Sequence, residues 1–301
     1  MVGYLFAGQG SQYVGMGKDL CDSFPAAKAV FEKADQVLGF SLSNLCFNGP
    51  LEELTKTNNC QPAIVAMSIA CWQAYLSKNP KIDGYLAGLS LGEYSALVAA
   101  GALSFEDAIY LVAQRGQFME EEARLHPGKM LSVIGLDLAL VKEICALARA
   151  EVANINCPGQ IVISGSPESI LRAQVLAKEK GAKLAVVLEV SGAFHSSFMQ
   201  GACLRLAGEL EKITINSPQW PVVSNVTGKP VSTPQEIKQN LIKQVSASVL
   251  WEDSMRFILS QGVTNFMELG PGKVLKGLMR RIDSGAQVTN IEKSSDIGLI
   301  E

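Results

Sequence analysis

Gly88-Leu89-Ser90-Leu91-Gly92 sets one serine between two glycines, with a single residue on either side. That G-x-S-x-G spacing suits a sharp strand-to-helix turn, in which the glycines permit the bend and the hydroxyl projects from the end of a sheet. Ser90 is therefore a candidate nucleophile. The Leu91 amide and the N-terminus of the following helix are candidate stabilisers of an oxyanion. The alternative is a packed glycine turn whose serine caps a helix. A serine nucleophile needs a base, and the chain holds two histidines, His126 and His195. His126 precedes Pro127-Gly128 and reads as an exposed loop residue. His195 lies in Ser191-Gly192-Ala193-Phe194-His195-Ser196-Ser197, a small and apolar setting. It is the candidate base, with a buried structural imidazole as the other reading.

Arg115 is the third residue of interest. Ala108, Leu111, Val112, Phe118 and Met119 form one apolar helical stripe, and Arg115 falls within it. Burying a guanidinium without a partner is costly. A structural salt bridge or snorkelling to solvent would account for it, and so would a substrate carboxylate gripped by the planar fork.

These residues are far apart in the chain, so a scaffold must gather them. The pattern predicts a buried strand over 2–6, ended by Ala7-Gly8-Gln9-Gly10, and helices over 25–38 and 62–76. A strand, turn and helix follow over 84–101, then a helix capped by Ser104 that runs to about 123. Between 130 and 190 the pattern predicts strand 130–135, helix 138–149, strand 152–156, strand 160–165, helix 168–180 and strand 184–190. That is the β-α-β-β-α-β order of a ferredoxin-like unit. Further strands are predicted over 222–225 and 265–269. The expected fold is an α/β domain formed by both ends of the chain, with the smaller unit inserted.

The 301 residues exceed the usual span of one domain, about 100–200. With 48% hydrophobic and 18% charged residues the chain is globular. Its net charge of −3 provides no overall field to gather nucleic acid. Seven cysteines without a Cys-x-x-Cys pair read as reduced thiols of a cytoplasmic protein, and no ligand spacing for a metal is seen. The opening MVGYLFAGQGSQ does not read as a secretory signal. The apolar run 63–72 is well short of the ~20 residues that span a bilayer, so no membrane association is expected.

The order and spacing of Gly8-Gln9-Gly10-Ser11-Gln12, Gln61-Pro62-Ala63, Gly88-Leu-Ser90-Leu-Gly-Glu93, Arg115, Asn156-x-Pro-Gly-Gln160, Gly192-Ala-Phe-His195-Ser196 and Gly270-Pro-Gly-Lys273 resemble the malonyl-CoA:acyl carrier protein transacylases over essentially the whole chain. The resemblance implies an α/β-hydrolase-like domain with a parallel sheet over 1–126 and 197–301, and a ferredoxin-like subdomain inserted at 127–196. It implies that Ser90 is acylated by malonyl-CoA and that the acyl group passes to acyl carrier protein. It assigns His195 as base, oriented by a carbonyl oxygen associated with Gln244. Gln9 and Leu91 would supply the oxyanion hole, Arg115 would bind the malonyl carboxylate, and Gln61 and Phe194 would contribute to substrate binding. No cofactor is implied, and a monomer is expected. Leu89 departs from the histidine usual before the nucleophile in bacterial members; Ala7 and Ser248 replace common prolines. The competing readings are a serine thioesterase or esterase, which shares G-x-S-x-G, and a non-catalytic module that docks carrier protein. The hydrolase reading normally wants an acid and then a late histidine, whereas about a third of this chain follows His195.

Overall fold

The computed structural model describes residues 1–298. Its strands, in chain order, are β1 (Val2–Phe6), β2 (Gly84–Gly88), β3 (Lys129–Ile134), β4 (Glu151–Cys157), β5 (Gln160–Gly165), β6 (Leu184–Val187), β7 (Val222–Val223), β8 (Pro230–Val231), β9 (Val249–Leu250), β10 (Asn265–Leu269) and β11 (Gln287–Ile291). The larger sheet has the order β11-β10-β1-β2-β7-β8, parallel throughout except for β7 with β8. Both faces of its centre are covered, as parallel strands require. Tyr4 and Phe6 of β1 point into one apolar cluster and Leu5 into another.

The first layer is built on the helix Thr57–Leu76, which is apolar on all sides, with Trp72 edge-on to Tyr4 at 5.3 Å between ring centroids. This helix begins at Thr57, earlier than the predicted start at Pro62. Proline lacks an N–H and so forfeits one bond in the second turn, a loss that the packing of Cys60, Ala63 and Ile64 outweighs. The helices Trp251–Ser260 and Val274–Ile282 cover the other face, bringing Trp251, Met255, Leu275 and Met279 against Leu5. The helix Phe105–Leu125, which carries Arg115, is capped by Ser104 Oγ accepting from Asp107 N–H at 3.0 Å.

The second sheet has the order β6-β3-β5-β4-β9. Strands β3 to β6, with the helices Leu138–Ala148 and Pro167–Glu179, follow the predicted β-α-β-β-α-β order and pair antiparallel. Leu131, Val133, Ile161 and Ile163 meet Val141, Ile144, Ile170 and Ala173 from the two helices in a separate core. Strand β9 adds to this sheet parallel to β4, through Asn154 with Val249 and Ile155 with Leu250.

Two strands are shorter than predicted. The strand predicted over 184–190 leaves the ladder after Val187, and Glu189 and Val190 line a cleft instead. The one predicted over 222–225 ends at Val223, because Ser224 starts a tight return in which its N–H donates to Lys229 O at 3.0 Å. No helix among the described residues is long and apolar enough to cross a membrane.

Candidate active site

Ser90 sits where β2 gives way to the helix Gly92–Ala99, beside the end of β1 at Gly8 and Gln9. This is the carboxyl edge of the parallel sheet, where open α/β sheets form their crevices. The glycine spacing has a steric cause. A Cβ at Gly88 would lie 1.9 Å from the Gly92 carbonyl carbon, and one at Gly92 would lie 2.2 Å from Phe6 O. Between them Ser90 adopts φ +52°, a left-handed conformation that a residue with a side chain rarely takes.

Another left-handed residue faces it. His195, at φ +57°, places Nε2 2.8 Å from Ser90 Oγ. Its Nδ1 lies 2.8 Å from Gln244 O. A carbonyl only accepts, so Nδ1 carries the proton and Nε2 is left as the acceptor for the serine hydroxyl. Burial first, and Arg115 second, push the imidazole down to about 4.

Arg115 is buried on the same cavity. Its Nη1 donates to Gln61 Oε1 at 2.8 Å, while Nη2 donates to Gln244 Oε1 at 3.1 Å and Ser90 Oγ at 3.2 Å. The Tyr94 ring lies 5.7 Å from the guanidinium carbon. No salt bridge to Arg115 forms among the described residues.

Gln9, Ser90, Arg115, Met119, Phe194 and His195 line one cavity, with Leu89 on its wall. Three expected site residues, Leu91, Gln61 and Gln244, are not among those that line it. Gln61 and Gln244 are fully buried and touch Arg115, so they orient the guanidinium and do not line the cavity. The N–H groups of Gln9 and Leu91 make no hydrogen bond among the described residues. His126 is exposed, with Nε2 3.9 Å from Glu122, and is absent from the cavity wall.

Three further residues at the site escaped the sequence reading. Asn225 and Glu93 are buried against the serine turn: Ser90 N–H donates to Asn225 Oδ1 at 2.5 Å, and Glu93 Oε2 accepts from Asn225 N–H at 3.1 Å and Gln244 Nε2 at 2.7 Å. Ser164 of β5 donates to Phe194 O at 2.6 Å and so ties the smaller sheet to the backbone before His195. Glu93 had a signal, as the sole charged residue between 84 and 101. Asn225 and Ser164 had none.

The model of the acyl transferase domain matches residues 3–300. The chain belongs to the acyl transferase domain family. Within that family it is similar to the malonyl CoA-acyl carrier protein transacylase of Bacillus subtilis strain 168, with 46% identity over 287 residues, covering 94% of this chain and 90% of the relative. The Escherichia coli K12 protein of the same name is 43% identical over 283 residues, covering 93% and 92%. A crystal structure of an acyl carrier protein S-malonyltransferase from Vibrio cholerae has a TM-score of 0.97 at 39% identity, covering 100% of this chain and 99% of that one. A malonyl-transacylase in complex with a type II polyketide acyl carrier protein gives 0.95 at 40% identity, covering 98% and 97%.

Proposed function

We propose that this acyltransferase moves a malonyl group from malonyl-CoA to the phosphopantetheine thiol of acyl carrier protein, by a ping-pong route through a malonyl-Ser90 ester, for fatty acid or polyketide synthesis. The observation that carries the reading is the meeting of Ser90 Oγ, His195 Nε2 and an ion-unpaired Arg115 in one cavity.

Ser90 Oγ attacks the thioester carbonyl as His195 Nε2 takes its proton. The Gln9 and Leu91 N–H groups bind the oxyanion. Collapse breaks the C–S bond, and His195 returns the proton to the departing CoA sulfur. The carrier thiol then repeats the sequence on the serine ester, giving its proton to His195, which passes it to Ser90 Oγ. Gln244 O holds the imidazole tautomer. Arg115 grips the free carboxylate, Gln61 orients Arg115, and Phe194 packs beside the acyl chain. Serine itself carries the acyl group, so no cofactor is required.

The strand order β6-β3-β5-β4 supports a ferredoxin-like subdomain inserted at 127–196 in an α/β-hydrolase-like domain over 1–126 and 197–301. Seven cysteines, all unpaired, support a cytoplasmic setting.

The test is intact mass after brief exposure to malonyl-CoA, followed by carrier protein. One malonyl adduct on Ser90, absent in Ser90→Ala and discharged onto the carrier, is the expected result. An adduct that persists in Ser90→Ala overturns the nucleophile. Discharge into water at the same rate without carrier makes the enzyme a hydrolase.

A further inference from the structure

Ser90 holds a left-handed conformation that its own sequence does not favour, so neighbouring groups must fix it. The parallel register of β2 with β7 pairs Leu86 with Val222 and Ala87 with Val223. Continued by two residues, it brings Asn225 opposite Leu89. In a parallel ladder the residue at that point accepts from one N–H and donates to one C=O on either side of its partner. The main chain of Asn225 is engaged elsewhere: its N–H donates to Glu93 Oε2 at 3.1 Å and its O accepts from Leu250 N–H at 2.8 Å. Its side chain completes the ladder. Oδ1 accepts from Ser90 N–H at 2.5 Å, and Nδ2 donates to Gly88 O at 2.7 Å. On the other side of the serine, Ser90 O accepts from Gln244 Nε2 at 3.0 Å. Both peptide groups of the nucleophile are thereby held, and Leu91 N–H is left without a partner among the described residues.

We propose that Asn225 is a positioning residue whose carboxamide substitutes for a strand, fixing the turn so that Ser90 Oγ meets His195 Nε2 and Leu91 N–H faces the oxyanion. The proposal rests on Ser90 being the nucleophile. Glu93 acts behind it by fixing the Asn225 main chain and the Gln244 amide through one carboxylate oxygen.

Two substitutions test this, read by single-turnover acylation with malonyl-CoA. Asn225→Ala removes both bonds and is expected to lower the acylation rate constant by about 100-fold, the scale of a 1 Å misplacement, with the KM for malonyl-CoA within about twofold of wild type. Asn225→Asp keeps the shape and the acceptor, but its carboxylate has no proton to offer Gly88 O; the protonated acid does. The titratable group in contact with position 225 is Glu93, itself a buried carboxyl that burial pushes up to about 7, so two buried carboxyls side by side hold protons as pH falls toward 5.5; Arg115 and His195 reach the position only through Gln244 and Ser90. Asn225→Asp is therefore expected to be as slow as Asn225→Ala near pH 8 and to regain about tenfold, relative to wild type at the same pH, near pH 5.5. A role confined to stability would not give that recovery. If Asn225→Ala does not fold, the two-pH ratio for Asn225→Asp still decides. Folded variants that acylate at the wild-type rate, or an Asn225→Asp enzyme with no recovery at low pH, overturn the proposal. A wild-type adduct mapped away from Ser90 overturns the nucleophile reading instead.

Discussion

Arg115 Nη2 lies 3.2 Å from Ser90 Oγ, nearer to that hydroxyl than to any carboxylate among the described residues. Its other partners are the amide oxygens of Gln61 and Gln244, and its Nε has none among the described residues. Neutral acceptors orient a guanidinium without neutralising it, so a buried cation waits beside the nucleophile. Glu93 reaches it only through Gln244. On the proposed function, a substrate carboxylate would complete the ion pair and, in doing so, set the acyl carbonyl over Ser90.

Arg115→Ala is therefore expected to cost about 2–5 kcal/mol in kcat/KM for malonyl-CoA, the range for breaking a buried charged pair, or about 30-fold to several thousand-fold. Acetyl-CoA has no carboxylate, and its transfer is expected to be spared or improved. The measurement is kcat/KM for both esters with wild type and variant, with a thermal melt as the folding control. A folded variant that keeps the wild-type preference for malonyl makes Arg115 a structural residue.

The same cation acts on His195. Burial and then Arg115 lower the imidazole to about 4, so the neutral base is present throughout the range from about pH 8 down to about pH 5. Acylation of Ser90 should lose its base only as pH falls through about 4, and the inflection should move upward in Arg115→Ala. Because the native value is depressed, this group's contribution to stability is present above the ordinary value of 6.5 and is lost as pH falls toward 4. Quenched acylation across pH checks it; an inflection near 6.5 in the wild type would show an ordinary, solvated imidazole.

Much of this site could be read from the sequence because scarcity and spacing constrain it. Two histidines leave little choice of base, the glycines around Ser90 are dictated by backbone contact, and Arg115 interrupts an otherwise apolar stripe. The β-α-β-β-α-β stretch was legible for the same local reason: strand and helix periodicities alternate there. What escaped depends on register between distant segments. Asn225 looks like a turn former until β2 and β7 are aligned, and β9 is two residues long. Gln61 was expected only as a contributor to substrate binding; its contact with Arg115 could not be read, because motif order carries no information on which side chains two distant helices bring together.

Gly92→Ala tests the steric basis of the turn. The added methyl would meet Phe6 O at 2.2 Å and Ala7 O at 2.9 Å, both backbone atoms that cannot swing away. A destabilisation of about 1–3 kcal/mol or more is expected, with the urea midpoint lowered and the slope unchanged. Unaltered stability would mean that β1 and β2 separate more easily than their pairing implies.

Glu93 makes the opposite kind of contribution, since it holds the site at a cost to the fold. Burial pushes its carboxyl up to about 7 from the ordinary 4.5, against the pull of the Asn225 and Gln244 donors. With the native value above the unfolded one, the linked stability is fully present below about 4.5 and is lost as pH rises through about 7. Wild type should lose stability relative to Glu93→Gln between about pH 5 and pH 8, by roughly 3 kcal/mol, because each tenfold difference in proton affinity between fold and unfolded chain is worth about 1.4 kcal/mol. The variant's carbonyl oxygen can still take both donors that Oε2 takes in the wild type, but as a neutral and so weaker acceptor, and acylation should slow in it even where the protein is more stable. Urea unfolding of both proteins at the two pH values checks the linkage. Parallel stability curves would mean that Glu93 ionises in the native protein as it does in the unfolded chain, and that the carboxylate is held at no cost.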